Sequence, residues 1–219
     1  MAQKLKIGYW KIRGLGQPIR LLLTYAGAEF DEDQYEQGEG PEFSRDEWLN
    51  VKPKLGLDFP NLPYLFDGDV KITQSNAILR YLGAKFSLLG EDPKVQAYSE
   101  MMLENAMDMR NALVRLVYSP GYDENVDKYF TQVDEKFKQF EAFLGKKDWF
   151  AGGKNPTICD FHIYELLDQH RLMRPESLKG YSNLLAFLDR FEALPQIKAF
   201  LQSDKCIKRP VNNKCANWK

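Results

Sequence analysis

Arg45, Trp48 and Lys52 lie close together in one long polar stretch, and Gln74 and Ser75 follow in the segment TQSN. Two cations and an indole N–H can anchor one carboxylate. TQSN reads as a helix start, whose free N–H groups and positive dipole end favour a second anion, with Gln74 and Ser75 adding side-chain donors. Between these anchors runs LGLDFPNLPYLFDGDVKI. An X-Pro bond is the only common site of a cis peptide, and Leu62-Pro63 is the candidate here. A turn at that point leaves the Leu62 backbone extended and open, able to pair with a peptide amide as a sheet edge does. The constellation suits a small peptide with a carboxylate at each end.

Other chemistries find less support. Cys159, Cys206 and Cys215 are odd in number and form no C-x-x-C pair, which fits a reducing compartment and predicts that thiol chemistry would use a substrate's sulfur. His162 and His170 lack a neighbouring ligand set, so metal is not expected and satisfied structural histidines are. Thirty basic against thirty-one acidic residues give a net charge of -1, without the basic excess of a nucleic-acid binder. No apolar run approaches the roughly 20 residues of a membrane span. MAQKLKIGYW shows no secretory signal, so a cytoplasmic location is expected.

The elements that must position these residues fall into two textures. KLKIGYW reads as a strand, GQPIRLLLTYAGA as a helix with Pro18 in its first turn and Gly27 at its end, and FDEDQYE as a second strand. That unit predicts parallel pairing with a right-handed crossover. GEGPEFSRDEWLNVKPKLG is a long loop with a single helical turn around RDEWL. PYLF and VKI, joined at Asp67-Gly68, predict a hairpin, and Thr73 or Ser75 can cap the next helix.

Beyond FSLLGEDP strand signals cease. Asp92 and Pro93 open a helix to about Tyr118. Val126, Phe130, Val133, Phe137, Phe140 and Leu144 repeat at helical period and read as core. Thr157 and Asp160 predict a capping box, and two more helices precede an irregular tail. The expected fold is an α/β domain over 1–85, a linker at 86–92 and an all-α domain over 93–219.

Taken together, GYWKIRGLGQPIRLLL, SRDEWLNVKPKLGLDFPNLPYL and KITQSNAILRYL resemble the cytosolic glutathione transferases of the mu class, over essentially the whole chain. The resemblance implies a thioredoxin-like first domain. It also implies transfer of the thiolate of reduced glutathione, a tripeptide with two carboxylates and a thiol, to hydrophobic electrophiles in detoxification. Glutathione is then a co-substrate, and no resident cofactor is implied. A free thiol has a pKa of about 8.5, so one hydrogen bond to the thiolate, worth about 1.5–3 kcal/mol, lowers it by one to two units.

Tyr9 matches the family's sulfur-activating tyrosine, although from the residues alone an ordinary strand aromatic is the commoner role. By the same correspondence Trp10, Arg45, Trp48 and Lys52 serve the glycine end of the tripeptide, with Asn61 nearby. Leu62 pairs with the cysteinyl amides through its backbone, and Gln74 and Ser75 hold the γ-glutamyl end. Asp108 reaches the ligand of a neighbouring subunit, which implies a homodimer. Tyr118 contacts the electrophile and assists as a general acid.

Leu15, Arg110, Val114, Tyr118 and Asn212 line an apolar electrophile pocket in this correspondence. Phe59 inserts into the partner subunit, and Arg80 supports the interface. From the residues alone, a Phe59 buried under its own loop is as good a reading. Two departures stand out: Asn212 and Asn213 occupy the roof where an aromatic and a hydroxyl residue are usual, making it more polar, and Pro53 is expected to hold Lys52 extended. A non-catalytic carrier of apolar ligands on the same fold is the alternative. A thiol-disulfide oxidoreductase is disfavoured, because the first domain has no cysteine.

Overall fold

The computed structural model describes residues 4–219, so Met1 to Gln3, included in the expected first domain, lie outside the described residues. Strand β1 (Leu5–Trp10) leads into helix α1 (Gln17–Tyr25) and strand β2 (Phe30–Tyr35), which pairs parallel to β1 from Leu5↔Phe30 to Trp10↔Tyr35. Strands β3 (Tyr64–Asp67) and β4 (Val70–Thr73) add antiparallel, giving the order β2-β1-β3-β4. Pro18 lies in the first turn of α1, where its missing N–H has no partner to lose.

Local chemistry corrects three expectations. Asp67 pairs with Val70, so the hairpin turns at Gly68 and Asp69, one residue later than expected. Asp67 is free to accept from Tyr81 Oη at 2.7 Å and Lys85 Nζ at 2.5 Å. Neither Thr73 nor Ser75 caps helix α3 (Ser75–Lys85): Thr73 Oγ1 donates instead to the Phe59 carbonyl at 2.9 Å, and Gln74 stands at the N-cap with φ 74°. Lys52 is not extended. Lys52–Lys54 close a single 3-10 turn, whose start tolerates Pro53 because that N–H would be unpaired anyway. Helix α2 (Asp46–Leu49) is the short turn expected around RDEWL, and Leu62-Pro63 is cis.

The second half is helical: α4 (Pro93–Val117), α5 (Tyr122–Leu144), α6 (Ile158–Met173), α7 (Ser182–Ala193) and α8 (Pro195–Gln202). Asp92 caps α4 by accepting from the N–H groups of Lys94 and Val95. The predicted stripe of α5 is buried from Phe130 to Leu144, with Val126 half-buried. The capping box forms at α6, where Asp160 accepts from Thr157 N at 2.8 Å and Phe150 N at 2.9 Å. Helix α6 is buried almost all round and packs on α4, α1 and α7. One apolar core therefore runs from Ile7, Leu22 and Leu79 through Leu103 and Leu113 to Phe161 and Phe187. No described helix is long and apolar enough to cross a membrane.

Candidate active site

Strand β1 delivers Tyr9 to the seam between the sheet and the helices. Its ring is buried, and its oxygen accepts the Leu15 N–H at 2.9 Å. The chain returns to Tyr9 that closely only because of two glycines. A Cβ on Gly14, whose φ is 43°, would stand 2.5 Å from Tyr9 Oη, and one on Gly16 would stand 2.6 Å from Tyr9 Cδ1. A side chain at either position would push the ring away. Burial raises the Tyr9 pKa, opposed by the cation of Arg110, the Leu15 N–H and Arg20. The phenol therefore keeps its proton, and with its oxygen already accepting, that proton is left to give.

Tyr118 follows the last residue of α4. Although 37% of its surface is exposed, its oxygen accepts the Asn213 N–H at 2.9 Å, and burial pushes its pKa up to about 12. Arg110 lies within Coulombic reach of both tyrosines. It is buried, with Nη1 donating to Gln169 and Nε–H unpartnered among the described residues. The expected apolar face near Arg110 and half-buried Val114 thus contains a guanidinium, because Gln169 on α6 gives it a partner. Asn212, expected at the roof of the pocket, is 1% exposed and turns inward, Nδ2 donating to the Trp218 carbonyl at 3.1 Å. Packing of the tail's last turn, rather than the pocket, claims its amide.

The residues expected to bind the peptide divide into two groups. Trp48 packs in a small apolar cluster with Tyr35, Leu57 and Tyr64, against which Trp10 and Leu62 also lie. Trp48 stacks on Tyr64 at 6.3 Å, and the Tyr64 hydroxyl donates to Asp33 at 2.7 Å. Arg45, Asn61, Gln74 and Asp108 are exposed, Lys52 and Leu15 half-buried, and Ser75 buried at the start of α3. The Leu62 N–H is not wholly open, since Asn61 Oδ1 accepts it at 2.9 Å. Phe59 is 81% exposed, so it is not buried under its loop. Arg80 bonds Glu100 at 2.5 Å and also Glu104, tying α3 to α4 within the chain.

The family profile of the glutathione S-transferase N-terminal domain matches residues 5–84, and that of the C-terminal domain matches residues 107–204. Glutathione S-transferase Mu 5 of Rattus norvegicus is 48% identical over 217 residues, 99% of this chain and 96% of the relative. Glutathione S-transferase Mu 3 of Homo sapiens is 48% identical over 212 residues, 97% of this chain and 94% of the relative. The crystal structure of the glutathione S-transferase Blo t 8 superposes with a TM-score of 0.89 at 36% identity, covering 97% of this chain and 98% of that one. The chain belongs to the glutathione S-transferase family. Its similarity to the mu class makes it a glutathione-conjugating transferase.

Sequence reasoning passed over several groups that this transferase brings to the seam. Gly14 and Gly16 flank Leu15 and shape the loop around Tyr9. Arg13, Glu165, Asp168 and Gln169 form a buried polar cluster behind it. A signal existed for the last three: within the apolar run of FHIYELLDQH they are spaced i, i+3 and i+4, one face of a helix. His162 also departs from expectation, because both ring nitrogens are buried with no partner among the described residues. Burial on all sides of α6, with Arg110 nearby, lowers its pKa to about 3. His170 is satisfied as expected: Nδ1 lies 2.7 Å from the Leu166 carbonyl and Nε2 2.7 Å from Tyr129 Oη.

Proposed function

We propose that this transferase activates glutathione by a hydrogen bond from the Tyr9 hydroxyl to the tripeptide's sulfur. The observation that carries the reading is the Leu15 N–H on Tyr9 oxygen at 2.9 Å, which fills the oxygen's accepting side and leaves the phenolic proton as the group to donate. A donor aimed at developing negative charge from a buried site needs no reorganisation when the thiolate forms. Trp10, Arg45, Trp48 and Lys52 serve the glycine end, with Asn61 beside them. The Leu62 backbone takes the cysteinyl amides, exchanging its bond to Asn61, while Gln74 and Ser75 hold the γ-glutamyl carboxylate at the α3 N-terminus.

The electrophile, an activated aromatic, alkene or epoxide of hydrophobic character, meets the sulfur beside Leu15, Arg110, Val114 and Tyr118, with Asn212 behind them. Tyr118 keeps its proton and can supply it as a general acid. In a homodimer, Asp108 reaches the partner's ligand, Phe59 inserts into the partner and Arg80 supports that contact; its exposure is what supports the role of Phe59. Residues 1–85 and 93–219 are the two domains, joined by 86–92, and the enzyme works in cytoplasmic detoxification. No observation favours the non-catalytic carrier.

The test is the conjugation rate of glutathione with a chloronitrobenzene, for the wild type and Tyr9→Phe across pH. Activity saturable in glutathione that falls about 10- to 100-fold in the variant, the worth of one hydrogen bond to a charged group, with glutathione affinity nearly intact, supports the assignment. Equal activity in both proteins removes Tyr9 from it.

A further inference from the structure

Two separate groups act on the Tyr9 hydroxyl, and both are held by the same carboxylate. The first is the Leu15 N–H, carried by the loop that follows β1. Arg13 anchors that loop: its Nε donates to Glu165 Oε1 at 2.9 Å and its Nη2 to Glu165 Oε2 at 2.6 Å. The loop's backbone is pinned from the other side, Arg13 N to the Pro210 carbonyl and Gly14 N to the Val211 carbonyl, each at 3.0 Å. The second group is the Arg110 guanidinium, which donates to Gln169 Oε1. Gln169 is oriented in turn by its Nε2, which donates to Glu165 Oε1 at 2.7 Å. Glu165 is 2% exposed, and these three N–H donors, reaching both of its oxygens, are the side-chain partners it has among the described residues.

We propose that Glu165 is the positioning residue of the catalytic tyrosine: through Arg13 it sets the loop that presents the Leu15 N–H, and through Gln169 it sets the Arg110 cation. The proposal rests on the reading of Tyr9 as the sulfur's donor. A side chain free to drift could not serve this way. Glu165 is fixed because a buried carboxylate must find donors, and a buried Arg side chain a carboxylate. Asp168, which accepts from Arg13 Nη2 at 2.5 Å and pairs with Arg171, is a second anchor that keeps Arg13 paired when Glu165 loses its charge.

The charged and polar groups around Tyr9 make the direction of the effect diagnostic. Arg110 faces it from α4, Arg20 from α1 at 6.0 Å from the ring, Tyr118 from the end of α4, the Leu15 N–H from the loop and Glu165 from α6. Removing the negative charge of Glu165, if charge were its whole contribution, favours the thiolate and lowers the bound thiol's pKa. Loosening the Tyr9 hydroxyl does the opposite.

The experiment titrates the thiol of bound glutathione by its thiolate absorbance in Glu165→Gln, Tyr9→Phe and the double variant, alongside glutathione affinity. The expected result is a raised thiol pKa in Glu165→Gln and a conjugation kcat/KM at neutral pH lower by roughly tenfold, part of the 100-fold that a misplacement of about 1 Å can cost. Affinity should stay within about twofold, and Glu165→Gln should add nothing in the Tyr9→Phe background. A thiol pKa that falls or stays put in Glu165→Gln while rising in Tyr9→Phe overturns this proposal alone. A thiol pKa unmoved by Tyr9→Phe overturns the Tyr9 reading and this proposal with it. Should Glu165→Gln fail to fold, Gln169→Met, which frees Arg110 but leaves the Arg13 pair intact, carries the same test with the same expected direction.

Discussion

The surroundings of Tyr9 and the rim formed by residues 45–76 are built in opposite ways. Around Tyr9 most polar groups are paired inside the chain: its oxygen with Leu15 N, Arg13 with Glu165 and Asp168, and Arg110 Nη1 with Gln169, the Arg110 Nε–H being left over among the described residues. On the rim Arg45, Asn61 and Gln74 are exposed, and Phe59 stands 81% out of the surface. The first region is finished before any ligand arrives. The second presents donors, cations and an aromatic whose partners must come from outside. An enzyme that activates a borrowed thiol needs this division, since preorganised dipoles help only if they do not have to be rearranged at the moment of reaction.

The most damaging way to blur the difference is to crowd the finished region. Gly14→Ala places a Cβ 2.5 Å from Tyr9 Oη and forces an L-residue to a φ of 43°. The left-handed conformation alone costs about 1–2 kcal/mol. The displaced hydroxyl is expected to lose about 100-fold in kcat/KM for conjugation. Glutathione affinity should change much less, because the rim is untouched. A variant with both parameters unaltered would show that the close approach has no bearing on the chemistry.

The rim's largest expected effect is on association. On the proposed dimer, Phe59→Ser removes a side chain whose full burial is worth about 1.5–3 kcal/mol. The dimer dissociation constant should therefore rise at least tenfold in sedimentation equilibrium. The isolated subunit should unfold as before, since nothing among the described residues covers an 81% exposed ring. An unchanged dimer would remove Phe59 from the interface.

How much of each region could be read beforehand follows from the range of the interactions involved. The helices of the second half announce themselves through near-neighbour periodicity, as in Phe130, Val133, Phe137 and Phe140, or through a local pair such as Thr157 and Asp160. The rim's expected residues could be proposed together for the same reason, since Arg45 to Ser75 is one continuous stretch. The finished region was not. Arg13 meets Glu165 across 152 positions of the chain, and no local pattern records which carboxylate a distant arginine will find. Lys52 misled in a smaller way, because the bias that Pro53 imposes was weaker than the advantage of closing a 3-10 turn.

The interior also carries a pH signature of its own. His162 and His170 are buried, and burial lowers their pKa values to about 3 and about 4. In the unfolded chain each returns to about 6.5. Between those values the unfolded state binds protons that the folded state refuses, so stability present above pH 6.5 is lost as the pH falls towards 4. From pH 7 to pH 5 the expected loss is about 2 kcal/mol per histidine. Since His162 has no partner among the described residues to forfeit, His162→Leu should abolish its share in urea unfolding at the two pH values. An undiminished pH dependence would show that the imidazole titrates in the folded protein.

The smallest expected effect belongs to Arg80, which lies on α3 just beyond the rim and has partners within its own chain. Arg80 bonds Glu100 and Glu104, yet its side chain is 38% exposed and theirs 40% and 56%. Solvent screens such pairs, and each is worth about 0–1 kcal/mol at most. Arg80→Ala should lower the urea midpoint only slightly, and less still in high salt. If Arg80 serves only to join α3 to α4, dimerisation will follow that small change in stability. If it also supports the subunit contact, as proposed, association will weaken by more than the subunit's own stability does. Comparing the two shifts in one variant separates a residue already satisfied within its chain from one that still awaits a partner.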